Sequence, residues 1–436
     1  MIKQTKSILK QYILPAIGGM VGTSLYVLGD TLLVGRRLGA PGLAALNISI
    51  PLINVLTGFG LLVGIGGASL MVIEKAQGQK ERAHQLFTKS MVLALIIGLL
   101  LLLVGVFFTP QLIALLGKGS KNLDMAESYL SMLLLFSPFY LLFVSLGVFI
   151  RNDRNPKLVM IAMLSASVVN LILDYVFMYP LNMGMRGGAL ATGLAQVVGF
   201  SLLLIHFIND HDLVFVLFKS LKDFLSIMKQ GAASFILEIS QGIVIFSFNI
   251  AFLLLAGDMM VSAYGIVANL SLLFTALLSG VAVGIQPLIS EAYGRKRADM
   301  IRHYGKVGLY TALIIGLVIL AIGLLIPTYL AMIFIDSPEV ISLGVNGIRL
   351  YFLAFPITAI NLVFTVYLQS QKQTLKAFLL SLQRGLIWII VLLLLLSNTL
   401  GITGVWLVKL SAELMTLMIG LIFFLPRRQA VIIKDS

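Results

Sequence analysis

Apolar residues run through this chain in stretches far longer than the core of a soluble domain uses, and polar residues are confined to the short segments between them. Twelve such stretches lie near 11–34, 44–72, 88–108, 128–150, 158–179, 188–208, 232–256, 261–289, 305–326, 346–369, 376–397 and 403–425. Each reaches the ~20 residues that a helix needs to cross a ~30 Å hydrocarbon layer. A lipid-exposed backbone must satisfy its polar groups internally, so long continuous apolar runs predict helices. The expected fold is an all-α integral membrane protein with twelve transmembrane helices.

The second six stretches repeat the first at a spacing of roughly 217 residues. Thr57 and Gly66 in the second stretch line up with Thr275 and Gly284 in the eighth, and Pro138 in the fourth lines up with Pro356 in the tenth. The segment from Ala76 to Lys80 matches that from Ala292 to Lys296. An even number of spans per repeat orients both halves alike. The pattern therefore predicts two pseudo-symmetric six-helix lobes facing each other across a central cavity, an architecture of transporters. The N-lobe is assigned to 1–208, a cytoplasmic connector to 209–230 and the C-lobe to 231–436. The connector, with Asp210, Asp212, Lys219, Lys222, Asp223 and Lys229 among apolar residues, is expected to form an amphipathic helix on the membrane surface.

Composition agrees with this picture. Hydrophobic residues make up 59% of the 436 and charged residues 11%, and the mean hydropathy is +1.04. The net charge of +13 is a matter of topology, not of nucleic-acid binding. With the N-terminus inside, the external segments receive only Arg36, Arg37, Lys118, Lys121, Arg186 and Arg349, and the spans hold Arg384 and Lys409. The other basic residues fall on the cytoplasmic side, from Lys3, Lys6 and Lys10 to Arg427, Arg428 and Lys434. The positive-inside rule thus puts both termini in the cytoplasm. There are no cysteines, which excludes disulfides and thiolate chemistry. The histidines His84, His206, His211 and His303 lack metal-ligand spacing. Gly117-Lys118-Gly119-Ser120 ends like a phosphate loop, but Leu112 stands where that motif needs glycine. No enzyme, no cofactor, no ATP motor and no nucleic-acid partner is expected; membrane lipid surrounds a monomer.

Acidic residues at membrane depth carry the candidate chemistry, because a charge at mid-bilayer costs about 2.5–3.5 kcal/mol even on lenient scales. They are Asp30, Asp174, Glu238 and Glu413. Tyr26 precedes Asp30 by four residues and Asn170 precedes Asp174 by four, so each pair shares a helix face. With Thr192 these residues offer carboxylate, amide and hydroxyl oxygens. That set suits Na⁺, and equally two repelling carboxyls that share a proton. Glu238 is expected either to line the cavity or to sit at its cytoplasmic mouth. Lys409, four residues before Glu413, is expected to neutralise it as an intrahelical ion pair. Pro15 is expected to bend the first span. The many Met and Phe residues suit a cavity for apolar cations.

These residues resemble the multidrug and toxic compound extrusion (MATE) family. The run from Asp30 to Gly39 with Leu43-Ala44-Ala45 is similar to its first-span signature. Gln286-Pro287-Leu288-Ile289-Ser290 through Tyr293-Gly294 resembles its second-half signature, and Asn170–Asp174 with Gly187-Gly188-Ala189 and Thr192 resembles its span five–six segment. Across nearly the whole chain the pattern is most similar to the bacterial MepA-type branch. The resemblance implies a coupling-cation site at Asp30, Asn170, Asp174 and Thr192, an aromatic beside it at Tyr26, and a bend at Pro15. It departs from branches with an acid in span ten, where the notable polar residue is Asn361, placed with Tyr26 and Glu238 in the substrate cavity. Asp153-Arg154 stands where the family more often has glycine and is expected to carry no functional cost. The implied function is a secondary antiporter of the bacterial inner membrane that exports cationic amphiphilic drugs or metabolites in exchange for H⁺ or Na⁺. The alternatives are a lipid-linked saccharide flippase of the same superfamily and a non-transporting membrane scaffold.

Overall fold

The computed structural model describes residues 8–116, 123–208, 211–218, 220, 222–335 and 337–424. The phosphate-loop look-alike at 117–120, Lys3, Lys6, Lys121, Lys219 and the basic C-terminus lie outside them.

Among the described residues, helix is the regular element throughout, and its lengths follow the apolar runs. The spans are α1 (Leu9–Gly39), α2 (Pro41–Ala76), α3 (Lys80–Phe107), α4 (Leu123–Leu135 with Ser137–Asn152), α5 (Pro156–Met178) and α6 (Gly184–Ile208). The second set is α7 (Asp223–Ala256), α8 (Met259–Gly294), α9 (Ala298–Leu325) and α10 (Pro338–Phe352 with Phe355–Gln369). The helix from Thr374 to Phe423 breaks at Gly401 into α11 (374–400) and α12 (402–423). This is the twelve-span fold expected.

The repeat is visible in the breaks. Gly39 ends α1 at φ +64° and Gly257 ends α7 at φ +73°, while Gly184 opens α6 and Gly401 precedes α12 at φ +57° and +58°. A residue with a Cβ takes this conformation only at a cost, so glycine marks the equivalent reversal in each half. Spans α4 and α10 bend by 57° and 45°, each beside the matched proline, Pro138 or Pro356. Proline lacks the N–H that would continue the ladder and crowds the preceding turn. Each bend lies against a glycine of the previous span, Gly98 or Gly316, where a side chain would meet the bend's own backbone. Pro15 also marks an irregularity: the five residues before α1's regular part, Leu9–Ile13, wind as a π-turn.

Burial follows two large hydrophobic cores, with a small third cluster of Ala233, Leu368, Ala377 and Leu380. Of the large ones, one joins residues from Val34 to Ile227. The other joins Phe248 to Ala412 and includes Ile8 and Ile13. Helix α1 therefore starts against the second core and finishes in the first. The lobes meet most tightly at the end where α2 and α8 finish, which carries most of the basic residues. There Gly66 lies on the Ile227 carbonyl, Gly231 on the Leu62 carbonyl, Gly284 on Tyr12 and Ile13, and Gly294 on Ile73 and Ala76.

The connector is not the amphipathic helix expected. Residues 211 and 213–218 have no helical structure, and helix resumes only at Asp223. Side chains of the first lobe meet the connector's polar groups instead. The Asp212 N–H donates to Asp153 Oδ2 at 3.0 Å, the Val216 N–H donates to Thr88 Oγ1 at 3.0 Å, and Lys75 Nζ lies 2.6 Å from Asp212 Oδ2. Leu213 is buried. Asp153, in the turn between α4 and α5, is the hub: it also takes His206 Nε2 at 2.9 Å and Lys75 Nζ at 3.3 Å. Burial pushes this carboxyl up, but His206, the Asp212 N–H and Lys75 together hold it below the ordinary carboxylate range. A depressed folded-state value means the stabilisation is complete above the unfolded value of ~3.9 and is lost as pH falls through the lower native one. At neutral pH, Asp153→Asn is expected to raise amide hydrogen exchange across 211–218 several-fold while the spans stay protected. Unchanged exchange there would show that Asp153 does not hold the connector.

Candidate functional site

The site forms where α1 and α5 touch, and glycine decides how closely they touch. Gly18, Gly22 and Gly29 share one face of α1, and a side chain at any of them would run into Met160, Leu164 or Leu171 of α5. Small residues of this kind let membrane helices pack at backbone distance. The C-terminal end of α1 is pinned as well. Arg37 Nε donates to the Met178 carbonyl at 3.1 Å, Arg37 Nη2 donates to Asn182 Oδ1 at 2.8 Å, and its guanidinium lies 5.5 Å from the Tyr179 ring centre. This zipper carries Asp30 onto α5.

The result is a cluster of four of the expected residues. Asp30, Asn170, Asp174 and Thr192 are 6%, 1%, 0% and 5% exposed. The Asp30 and Asp174 carboxyls lie against each other, close enough to share a hydrogen bond. Asn170, with its amide oriented so that both atoms are used, donates through Nδ2 to Asp174 Oδ2 at 3.1 Å. Its carbonyl accepts from the hydroxyl and the backbone N–H of Thr192, both at 3.2 Å. The Thr192 hydroxyl is also 3.1 Å from the Gly188 carbonyl. Asp30 Oδ1 and Asp174 Oδ1 have no hydrogen-bond partner among the described residues. Buried polar atoms are nearly always paired, so two orphaned carboxylate oxygens in one place mark a position for a proton, a cation or a substrate group. Two ionised carboxylates in contact cannot persist there without one positive charge.

Aromatic hydroxyls surround the pair. Tyr26 is half-buried and within electrostatic reach of Asp30, Asp174 and Tyr140. Tyr129, on the first piece of α4, is hydrogen-bonded to Thr192 and near both carboxyls. Sequence reasoning missed Tyr129, since an aromatic in an apolar span carries no signal of its own. Tyr140 continues the polar line through a 2.9 Å hydrogen bond with Thr57 and within reach of Glu238. Glu238 stands on the face of α7 that meets the first lobe: its Cβ lies against Gly58, and Gln241 Nε2 donates to its Oε2 at 3.4 Å. Beside it the Phe59 and Phe235 rings meet across the lobes in a tilted contact, 4.8 Å between centres.

Asn361 belongs to a separate cluster. Its Nδ2 donates to Glu413 Oε2 at 2.7 Å and to the Glu413 carbonyl at 2.9 Å. Lys409 Nζ is 3.0 Å from Glu413 Oε1, the intrahelical ion pair expected, and Arg384 Nε reaches the same oxygen at 2.8 Å. Among the described residues, the second lobe therefore holds a buried acid between two fixed cations, whereas the first holds two acids with no fixed cation against them.

Residues 15–176 and 232–394 each match the model of the MatE family, one match per lobe. The chain belongs to the MatE family. MatE proteins form a multidrug efflux transporter family, and this member is accordingly a multi-pass membrane protein. It is similar to the multidrug export protein MepA of Staphylococcus saprophyticus, 26% identical over 427 residues, covering 96% of this chain and 94% of MepA. The MATE multidrug transporter DinF-BH, solved in complex with a small molecule, matches with a TM-score of 0.87 at 26% identity, over 96% of this chain and 95% of that one. A MATE structure in complex with MaL6 matches at 0.90 with 21% identity over the same shares. These matches extend through both lobes, so this MatE chain has the family's twelve-helix fold.

Asn170 is expected to be the brace of the site. Asn170→Ala removes the donor to Asp174 Oδ2 and the acceptor for Thr192, at a cost of about 1–3 kcal/mol for an orphaned buried group. A lowered thermal midpoint in detergent checks this; a midpoint equal to that of the unsubstituted chain would contradict it.

Proposed function

We propose that this MatE chain is a secondary antiporter that exports amphiphilic organic cations in exchange for protons. The observation that carries the proposal is the apposed Asp30–Asp174 pair, sealed from lipid and left with two unpartnered oxygens. One positive charge must reside there, and whichever species supplies it excludes the other. Competition of this kind is sufficient for coupling. A cation from the cytoplasm neutralises the pair on the way out, and a proton from outside displaces it.

Two facing carboxyls can share one proton without any further ligand, whereas a sodium ion would draw on the oxygens of Asn170 and Thr192 as well. Exchange of one proton for one monovalent cation is electroneutral, and each pH unit across the membrane is worth about 1.4 kcal/mol, a tenfold concentration ratio. Support for the substrate class comes from the aromatic lining of Tyr26, Tyr140, Phe59 and Phe235 together with Glu238, which suits a flat apolar cation. The names of MepA, a multidrug export protein, and of DinF-BH, a multidrug transporter, agree with that choice.

A lipid-linked saccharide flippase would need free cations in its cavity to meet pyrophosphate. Arg384 and Lys409 are both committed to Glu413, which speaks against that reading. A scaffold gives no reason for two facing acids at membrane depth. The basic end is taken as cytoplasmic in the bacterial inner membrane, in keeping with the charge asymmetry. The transporter is taken to work as a monomer in lipid, driven by the ion gradient and not by ATP.

Two measurements test this. Asp174→Asn, folded and membrane-inserted, is expected to abolish ethidium efflux from cells; efflux at the unsubstituted rate would remove the pair from the mechanism. In proteoliposomes, a pH jump is expected to drive substrate movement and a Na⁺ jump at constant pH is not. The reverse pattern would make Na⁺ the coupling ion.

A further inference from the structure

The basic end of the molecule carries two ion pairs that cross between the lobes and are copies of one another. Arg154, in the turn between α4 and α5, places Nη2 3.2 Å from Oε1 of Glu291 near the end of α8. Lys372, in the turn between α10 and α11, places Nζ 3.2 Å from Oε1 of Glu74 near the end of α2. The register that puts Pro138 on Pro356 puts Arg154 on Lys372. The register of α2 on α8 puts Glu74 on Glu291 to within one residue. Both cations sit at left-handed backbone positions, φ +65° and +59°, which a residue with a side chain occupies reluctantly. Two independent surface contacts would have no reason to share partners, backbone conformation and repeat position.

Beneath the pairs lies a buried clasp at the same boundary. Gln286 Nε2 on α8 donates to Ser69 Oγ on α2 at 2.8 Å, and Asn152 Nδ2 at the end of α4 donates to Gln286 Oε1 at 3.0 Å. The glycine contacts of Gly66, Gly284 and Gly294 close the space around it. Each acid of the outer pairs also has a cation from its own lobe: Arg82 lies 3.7 Å from Glu74, and Arg295 lies 2.6 Å from Glu291. When the lobes part, neither carboxylate is left bare. A contact that can be broken without stranding a charge suits a closure that opens once per cycle.

We propose that Arg154–Glu291 and Lys372–Glu74 form a symmetric double latch that holds the cytoplasmic side shut and sets the balance between outward- and inward-facing states. The proposal rests on the alternating-access reading above. It revises the expectation that Arg154 carries no functional cost.

The chain has no cysteine, so a single introduced thiol reports on the gate without background. Ser290 is suited to this. It is buried, its hydroxyl has no partner among the described residues, and it shares a face of α8 with Gln286 and Gly294. In inside-out vesicles with no substrate and no gradient, S290C is expected to react slowly with N-ethylmaleimide. Adding E74Q and E291Q is expected to speed the reaction by about tenfold, the combined effect of two partly exposed pairs. The swaps R154E/E291R and K372E/E74R are expected to restore slow labelling, which general loosening of the fold would not do. If the E74Q/E291Q protein fails to insert, R154Q and K372Q are read in the same way. Labelling within twofold of the S290C background in the neutralised variants, or swaps that label as fast as those variants, would overturn the latch. Ethidium efflux by the unsubstituted chain is scored separately, so failure of the antiporter reading is distinguishable from failure of the latch.

Discussion

Two carboxylates pressed together away from water are the constraint around which this protein is organised. Unit charges ~4 Å apart repel by about 4 kcal/mol at an effective dielectric near 20. The Asp30–Asp174 pair therefore demands one positive charge at all times. The fold supports that demand from outside the site: the glycine face of α1 admits α5, Arg37 pins the C-terminal end of α1, and Asn170 braces Asp174 against Thr192. In the antiporter we propose, a site that must be occupied, with no fixed cation beside it among the described residues, turns binding into exchange.

The two lobes share a backbone plan and differ in charge. Matched glycines and prolines place the same breaks in both halves, while the buried acid of the second lobe is bound by Arg384 and Lys409. Burying an ion pair brings no large stability gain, so the cluster is better understood as a permanent neutralisation. On the antiporter reading we propose, it leaves the first lobe as the place where an external ion acts. The symmetry returns at the basic end, where each lobe offers one cation and one acid to the other.

Most of the fold was legible in the sequence, because lipid imposes length and apolarity on every span and the repeat imposes them twice. The first-lobe site was legible for the same reason: Asp30 and Asp174 are expensive at membrane depth and stand out against Leu, Ile and Val. Tyr129 did not stand out, since an aromatic costs nothing there. The Lys409–Glu413 pair was readable from its spacing along one helix, but Arg384 lies 29 residues from Glu413 and joins it only through packing. The connector misled because its mixture of charged and apolar residues fits an amphipathic helix, whereas side chains of the first lobe meet its backbone N–H groups at Asp212 and Val216. Arg154 and Lys372 were hidden among the basic residues that any cytoplasmic face carries.

The claim that a single charge position serves both ion and substrate is tested most directly by equilibrium binding. Ethidium affinity of the detergent-solubilised protein, titrated across pH, is expected to weaken about tenfold for each unit of acidification once protons occupy the pair, and Asp30→Asn is expected to flatten that dependence. An affinity that is constant across pH in the unsubstituted protein would mean that the passenger and the coupling ion do not compete at Asp30 and Asp174.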